Sequence, residues 1–190
     1  MVVIVLGALT LGLLFWNKTK VSITPDYLPE TYTSETAGFT IHYPLGYLVE
    51  ENYQYQNLGP GKEVGGVKFT IDPLIASSTN LSTDSYLSVE TISPAVQCQV
   101  ADFLANPRGE QKITEGEIKY LVASSTDAGA GNRYEEMVYI LPLENEVCRA
   151  VRYFIHYGAI ENYPVGIVNE FDKARLLREF DDIRRTLTTK

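Results

Sequence analysis

Runs of alternating apolar and polar residues recur along this chain and limit it to a fold built around a β-sheet. Phe39–Tyr43 and Val67–Ile71 show the alternation clearly, and a proline follows each within two residues. The strands predicted on this basis are 39–43, 47–55, 67–71, 86–92, 118–124, 133–141 and 147–157. Short connections join several of them, so we expect antiparallel pairing, with a hairpin formed by the first two strands.

Two helices are expected to cover this sheet. Residues 169–187 carry apolar side chains at every third or fourth position, and Asn169 can cap the start of the helix. A middle helix is predicted from Ser93, an N-cap residue followed by proline, to Leu104. The sequence therefore predicts an α+β fold. An antiparallel sheet of about six or seven strands has a middle helix and a C-terminal helix packed on it, and an N-terminal membrane helix precedes it.

The N-terminal sixteen residues contain no charge and only Thr10 as a polar side chain. As a helix they would span about 24 Å, against roughly 30 Å for the hydrocarbon core of a bilayer. No basic residue precedes the run and no small-residue cleavage site ends it, which favours an uncleaved anchor. An apolar core helix is the alternative. We predict a membrane anchor or signal-like helix over 1–20, a linker over 21–36 and a single α+β domain over 37–190.

The two cysteines, Cys98 and Cys148, have neither a CxxC motif nor histidines spaced for zinc. Outside the cytoplasm such a pair is most simply a structural disulfide, and two buried thiols are the alternative. We predict a Cys98–Cys148 disulfide in a domain held in the periplasm or at the cell surface.

The two ends of the predicted domain carry a recognisable pattern. Residues 38–44 read Gly-Phe-Thr-Ile-His-Tyr-Pro and lead into a second strand, and the closing helix ends Phe-Asp-Asp-Ile-Arg-Arg-Thr-Leu at 180–187. In these places the chain resembles the Mog1/PsbP-like domains, and its middle is similar to an uncharacterised group of exported, membrane-anchored bacterial proteins. The resemblance implies an antiparallel sheet covered by helices and a non-enzymatic binding or assembly role. It identifies no functional residue.

Charge and motif content argue against several functions. The formal net charge is −8 and no stripe of Lys or Arg is present, so a nucleic-acid partner is not expected. His42 and His156 are the only histidines, and no Gly-x-Ser-x-Gly motif accompanies them, so no catalytic residue is assigned. The Gly-rich stretch 127–132 favours a tight hairpin turn over a phosphate-binding loop. No metal or cofactor is predicted.

Tyrosine and arginine in the last long strand are the candidate binding residues. The chain has thirteen tyrosines, and Tyr favours interfaces because it combines a large contact area with a polar tip. Two arginines interrupt the strand and indicate that one face or one end of it is exposed to solvent. The residues assigned to the binding surface are Arg149, Arg152, Tyr153 and Tyr157. The ordinary alternative pairs the arginines across strands with Glu135 and Glu136.

Two functional hypotheses remain. The first is a membrane-tethered, extracytoplasmic, non-enzymatic module that binds or assembles with an unknown protein or cell-envelope partner and is held at the membrane by residues 1–16. The second is an enzyme of unrecognised type that uses His156 with nearby carboxylates such as Glu161. A deep polar pocket around His156 would favour the enzyme. A shallow sheet face rimmed by tyrosine would favour the binding module.

Overall fold

Two antiparallel sheets and two α-helices form the part of the chain that the structure describes, residues 25–95, 97–143 and 146–189 of a computed structural model. The helices are α1 Pro73–Ala76 and α2 Lys173–Arg185. The strands are β1 Glu30–Ser34, β2 Phe39–Tyr43, β3 Leu48–Tyr55, β4 Val64–Thr70, β5 Tyr86–Ile92, β6 Arg108–Glu115, β7 Ile118–Gly129, β8 Asn132–Pro142, β9 Cys148–Gly158 and β10 Thr188–Thr189. The α+β class predicted from the alternating runs is confirmed.

The larger sheet has seven strands in the order β3-β4-β5-β9-β8-β7-β6, and the smaller sheet has the order β1-β2-β10. The predicted meander is present, because β7, β8 and β9 pair consecutively and antiparallel. Ala130 and Gly131 form the two-residue turn between β7 and β8, both with positive φ, as two-residue hairpins require. The prediction of a tight turn at 127–132 is confirmed.

Two expectations about the start of the domain are wrong. β2 does not form a hairpin with β3, because it pairs with β1 and β10 in the smaller sheet. The predicted linker contains β1, and Leu28 just before it is only 1% exposed. β1 was missed because its sequence, Glu-Thr-Tyr-Thr-Ser, has no aliphatic residue. Tyr32 packs against the core, with its ring 5.8 Å from that of Phe69.

Helix α2 covers one face of the larger sheet, which we call the inner face. Asp172 caps it by accepting a hydrogen bond from the backbone N–H of Arg175 at 2.8 Å, so the helix begins later than Asn169. Phe180 and Ile183 on its apolar side are fully buried, and the Phe180 ring lies 5.3 Å from that of Tyr153. The predicted C-terminal helix is therefore confirmed in type and in the face that it buries.

The predicted middle helix is wrong. The segment 93–107 is irregular in its described part, apart from a single 3-10 turn at Val100–Asp102. The Asp102 carboxylate accepts the backbone N–H of Gln99 at 3.0 Å, which starts a helical turn only there. Phe103 and Leu104 then close the turn and are buried on the opposite, outer face of the larger sheet.

The segment 93–107 is fixed to the sheet by the predicted disulfide. Cys98 and Cys148 are bonded with their Cα atoms 5.5 Å apart, and Cys148 is the first residue of β9. The structure thus has one core between α2 and the inner face and a second beneath this segment on the outer face.

The predicted anchor at 1–20 lies outside the described residues. Within the described ranges, no helix combines the length and apolar character that a membrane crossing needs.

Candidate functional site

Three of the four predicted binding residues lie inside the protein. Arg149, Arg152 and Tyr153 are 2%, 0% and 1% exposed, so they cannot serve as surface anchors for a partner. Tyr157 is partly exposed, but its hydroxyl donates to Glu135 at 2.8 Å and its ring packs 5.1 Å from Phe171. The expectation that the arginines mark a solvent-exposed part of β9 is wrong, because both guanidinium groups have partners inside the fold.

Arg149 joins the two sheets. Its guanidinium donates to the backbone carbonyls of Ala37 and Gly38, in the turn between β1 and β2, and lies 5.1 Å from the ring centre of Phe39. Burial lowers the pKa of this guanidinium from its ordinary value. Carbonyl oxygens and an aromatic face therefore replace the water that Arg149 was expected to meet.

Arg152 belongs to a buried charge network on the outer face. Its side chain and that of Glu90 are both 0% exposed, with Nε 2.7 Å from the Glu90 carboxylate. The guanidinium also pairs with Glu136 and donates to the backbone carbonyl of Phe103. The predicted cross-strand ion pairing is thus correct for Arg152 with Glu136.

The charged state of this network follows from its geometry. Burial acts to lower the pKa of Arg152, but the charge and hydrogen bonds of Glu90, with the charge of Glu136, outweigh it and raise the pKa above its usual value. Ser88 donates to Glu90 at 2.8 Å, and the Arg152 guanidinium lies 3.4 Å from the ring centre of Tyr55. These contacts satisfy a charge pair that would otherwise be costly to bury.

A polar cleft of about 670 Å³ opens on the outer face directly above this network. Glu136 and Tyr55 are common to both, and the Tyr55 hydroxyl donates to Glu136 at 2.9 Å. Burial raises the pKa of Tyr55, so this hydroxyl remains a donor at neutral pH. The Glu136 carboxylate at the floor of the cleft is thus held in position by its contacts with Tyr55 and Arg152.

The walls of the cleft combine aromatic rings with polar side chains of both charges. Partly exposed Tyr134 on β8 and Phe154 on β9 lie with their ring centres 6.2 Å apart. The rim is formed by exposed polar side chains from three separate parts of the chain, Asn57, Asn106, Arg108, Thr126 and Asp127. Donors and acceptors beside aromatic surface are the composition typical of a site for a polar ligand.

His156 lies next to this cleft on the same face. Its ring stacks on that of Tyr134 at 4.5 Å between centres. One ring nitrogen lies 2.8 Å from the carboxylate of Asp84 and the other 3.1 Å from Oδ1 of Asn132. The carboxylate beside His156 is therefore Asp84, in the loop before β5, and not Glu161 as proposed from the sequence.

The contacts of His156 are with neighbouring polar and aromatic side chains that hold its ring in place. Among the described residues, no serine, threonine or cysteine side chain hydrogen-bonds to the His156 ring. The Ser85 hydroxyl bonds only to the backbone of His156, and both ring nitrogens already have polar partners. The described part of the chain also has no group of three or more His, Cys, Asp or Glu side chains that could hold a metal ion. His42 lies in the smaller sheet, with Nδ1 3.0 Å from the Thr31 hydroxyl.

Two solved structures illustrate what this chain is similar to. A protein from Bacteroides thetaiotaomicron VPI-5482 matches with a TM-score of 0.50 and 12% identity over 86% of this chain and 49% of that one. The cyanobacterial PsbP (CyanoP) of Synechocystis sp. PCC 6803 matches with a TM-score of 0.46 and 12% identity over 85% of this chain and 92% of that one.

These matches concern fold alone. The chain spans about half the length of the Bacteroides chain, and at 12% identity the match shows a shared fold only. The PsbP match has the lower TM-score and carries no argument. No protein-family model and no curated protein matches the sequence.

Proposed function

We propose that this chain is a binding domain, tethered to the outer side of a membrane, that captures a polar part of a cell-envelope partner in the cleft on its outer face. The observation that carries the proposal is the fixed Glu136 carboxylate at the floor of a cleft walled by Tyr134 and Phe154. A preorganised acceptor loses little freedom on binding, which leaves more of the contact energy as affinity.

The cleft favours a ligand that carries hydroxyl, amide or amine groups. Glu136 and Asp127 supply acceptors, while Arg108 and Asn57 supply donors on the rim. The aromatic rings add stacking surface for the non-polar face of such a ligand. A purely apolar ligand would leave these polar groups without partners, so it fits the site poorly.

The tether and location are proposed from the sequence together with the cysteines. An uncharged apolar run over 1–16 fits a membrane anchor, and disulfides such as Cys98–Cys148 persist mainly outside the cytoplasm. The motifs at residues 38–44 and 180–187 further support a Mog1/PsbP-like domain of the non-enzymatic kind. The acidic net charge of −8 supports a partner other than nucleic acid.

The second candidate function is acid-base catalysis by His156. One specific observation favours it, the 2.8 Å contact between Nδ1 of His156 and Asp84, because a carboxylate orients many catalytic histidines. Against it stand the contact of the other nitrogen with Asn132 and the ring stacking on Tyr134. Substituting both histidines separates the two functions, since only the enzyme requires them.

Site-specific photo-crosslinking tests the binding function. Benzoyl-phenylalanine is placed at Thr126, exposed on the cleft rim, and as a matched control at Thr114, exposed on β6 outside the cleft. The full chain is irradiated in cells that naturally make it, and its adducts are identified by mass spectrometry. We expect one dominant adduct at Thr126 and none at Thr114.

This experiment detects a protein partner as a large adduct and a small ligand as a mass increase of the chain itself. A dominant Thr126 adduct that is lost in the Arg108→Glu variant would tie capture to the cleft. Equal adduct yields at the two positions, or no adduct at either, would refute the proposed site.

A further inference from the structure

Three exposed apolar side chains lie at one edge of the molecule. Leu74 on α1 is 78% exposed, Leu45 before β3 is 73% exposed, and Tyr27 is 48% exposed. Tyr27 and Leu45 line one shallow groove of about 460 Å³, and Ile75 connects this groove to the neighbouring one beside Leu74. We call Tyr27, Leu45 and Leu74 together the apolar edge.

The apolar edge is held in place by local structure. Gly46 adopts φ +89°, and a Cβ atom there would lie 2.3 Å from Oδ2 of Asp72, so the turn that carries Leu45 sits directly on Asp72. Asp72 in turn caps α1 by accepting the backbone N–H of Leu74 at 2.9 Å. The two leucines are therefore carried by adjacent turns that meet at Asp72.

The chain enters the domain at this edge. Pro25 and Leu28 close a turn through a 2.9 Å backbone hydrogen bond, and Leu28 is buried in the core. The Tyr27 hydroxyl between them donates to Asp182 on α2. Only residues 17–24 separate this entry point from the apolar run at 1–16, and so short a stretch reaches at most about 30 Å when fully extended.

We propose that the apolar edge docks into the surface of the lipid bilayer that holds residues 1–16, so that the domain sits on the membrane in one orientation. This inference rests on the membrane tether of the proposed function. A tether of at most about 30 Å keeps the edge near the bilayer, and leucine side chains there leave water by entering the acyl region. The cleft and the apolar edge then have separate tasks, capture of the partner and attachment.

The charged residues around the edge are compatible with lipid headgroups. Glu179 and Asp182 have partners in the protein, accepting from the hydroxyls of Tyr47 and Tyr27. Arg175 and Arg178 line the same groove, and neither side chain has an ion-pair partner among the described residues. These guanidinium groups are available to lipid phosphates at the boundary of the bilayer.

Fluorescent labelling of the full chain in vesicles tests the docking. Single cysteines are introduced by Leu45→Cys, Leu74→Cys and, as the control, Ile118→Cys. Ile118 is 39% exposed and begins β7, the neighbour of the outermost strand β6 at the far side of the larger sheet. An environment-sensitive NBD dye then labels only the new thiol, because both natural cysteines are in the disulfide. The vesicles are phosphatidylcholine with a minority of phosphatidylglycerol and contain doxyl-labelled lipid.

We expect blue-shifted emission and quenching by doxyl lipid at positions 45 and 74, with neither at 118. Shallow doxyl positions should quench more than deep ones, because interfacial apolar faces enter only about 5–10 Å. Vesicle flotation shows separately whether the chain is membrane-bound, and circular dichroism checks that each variant is folded.

Two results overturn the docking while the tether stands. In the first, the chain floats with the vesicles but the labels at 45 and 74 are as accessible to aqueous iodide as the label at 118. In the second, the labels are shielded from iodide yet unquenched by doxyl lipid, which means that residues 1–16 or a second copy cover the edge. A chain that does not float with vesicles overturns the tether itself, and the docking with it.

Discussion

Replacing Arg152 by methionine should destabilise the protein strongly. The substitution keeps much of the aliphatic volume of the side chain but removes the guanidinium that pairs with Glu90. Glu90 is 0% exposed and would retain one described side-chain donor, the Ser88 hydroxyl at 2.8 Å. The variant therefore leaves a carboxylate in the outer core with most of its charge uncompensated.

The expected cost follows from this burial. Breaking a fully buried ion pair by removing one partner typically costs about 3–5 kcal/mol of unfolding free energy. Glu136 also loses its pairing with Arg152, but it opens to the cleft with 14% of its side chain exposed and keeps the Tyr55 hydroxyl. Its contribution to the loss should therefore be the smaller one.

Urea unfolding of the full chain, followed by circular dichroism, measures this loss. The matched double variant Arg152→Met/Glu90→Gln removes the stranded charge, and we expect it to recover about 1–3 kcal/mol relative to Arg152→Met alone. A loss below about 1 kcal/mol in the single variant would contradict the argument, since surface ion pairs already account for that much. A double variant that is less stable than the single variant would contradict it as well.

Two further predictions concern the disulfide and alkaline pH. The Cys98→Ala/Cys148→Ala variant should lose about 4 kcal/mol in the same urea assay, because the bond closes a loop of fifty residues; a loss near zero would contradict this. Burial and the hydrogen bond to Asp182 raise the pKa of Tyr27 to about 12, and burial with Glu135 does the same for Tyr157. The contribution of these two protonated hydroxyls to the free energy of unfolding is complete below pH 10 and is lost as the pH rises towards 12. Tyrosinate absorbance should therefore appear together with unfolding in that range. Tyrosines that all titrate near 10 in the folded protein would refute it.

Most strands of the larger sheet were predictable because they bury part of their side chains. The run at 86–92 and the three strands of the meander all contain the alternation or the apolar density that burial requires. β6 was missed because it is an outermost strand of the sheet with almost every side chain in water, so its sequence Arg-Gly-Glu-Gln-Lys-Ile-Thr-Glu carries no apolar pattern.

The buried arginines were misjudged because their partners come from distant positions. Glu90 on β5 neutralises Arg152, and the backbone carbonyl of Phe103 in the segment after β5 accepts a hydrogen bond from it. The sequence around position 152 gives no sign of either partner. Arginine is usually solvent-exposed, so the sequence favours a surface position for it. The strand pairing is needed to show that β9 is the central strand of seven and that most of its side chains are buried.

Part of the lining of the cleft can be predicted from the sequence. The two-residue turn at Ala130 and Gly131 fixes the register of β7 against β8, which pairs Asp127 with Tyr134 and Ser125 with Glu136. That register places acidic and aromatic side chains on one face. Asn57 and Asn106 could not be added, because they enter the rim from loops whose positions depend on the tertiary fold.

Complementation of a strain that lacks this gene tests most directly the claim that the protein acts by binding in the cleft and not by catalysis. Arg108→Glu reverses a charge on the cleft rim, and Lys112→Glu makes the same change on β6 outside the cleft. His42→Gln/His156→Gln removes both imidazoles. We predict that only Arg108→Glu fails to restore the wild-type phenotype, with all three proteins folded and equally abundant. Restoration by Arg108→Glu together with failure of the double histidine variant would contradict the account and make the protein an enzyme.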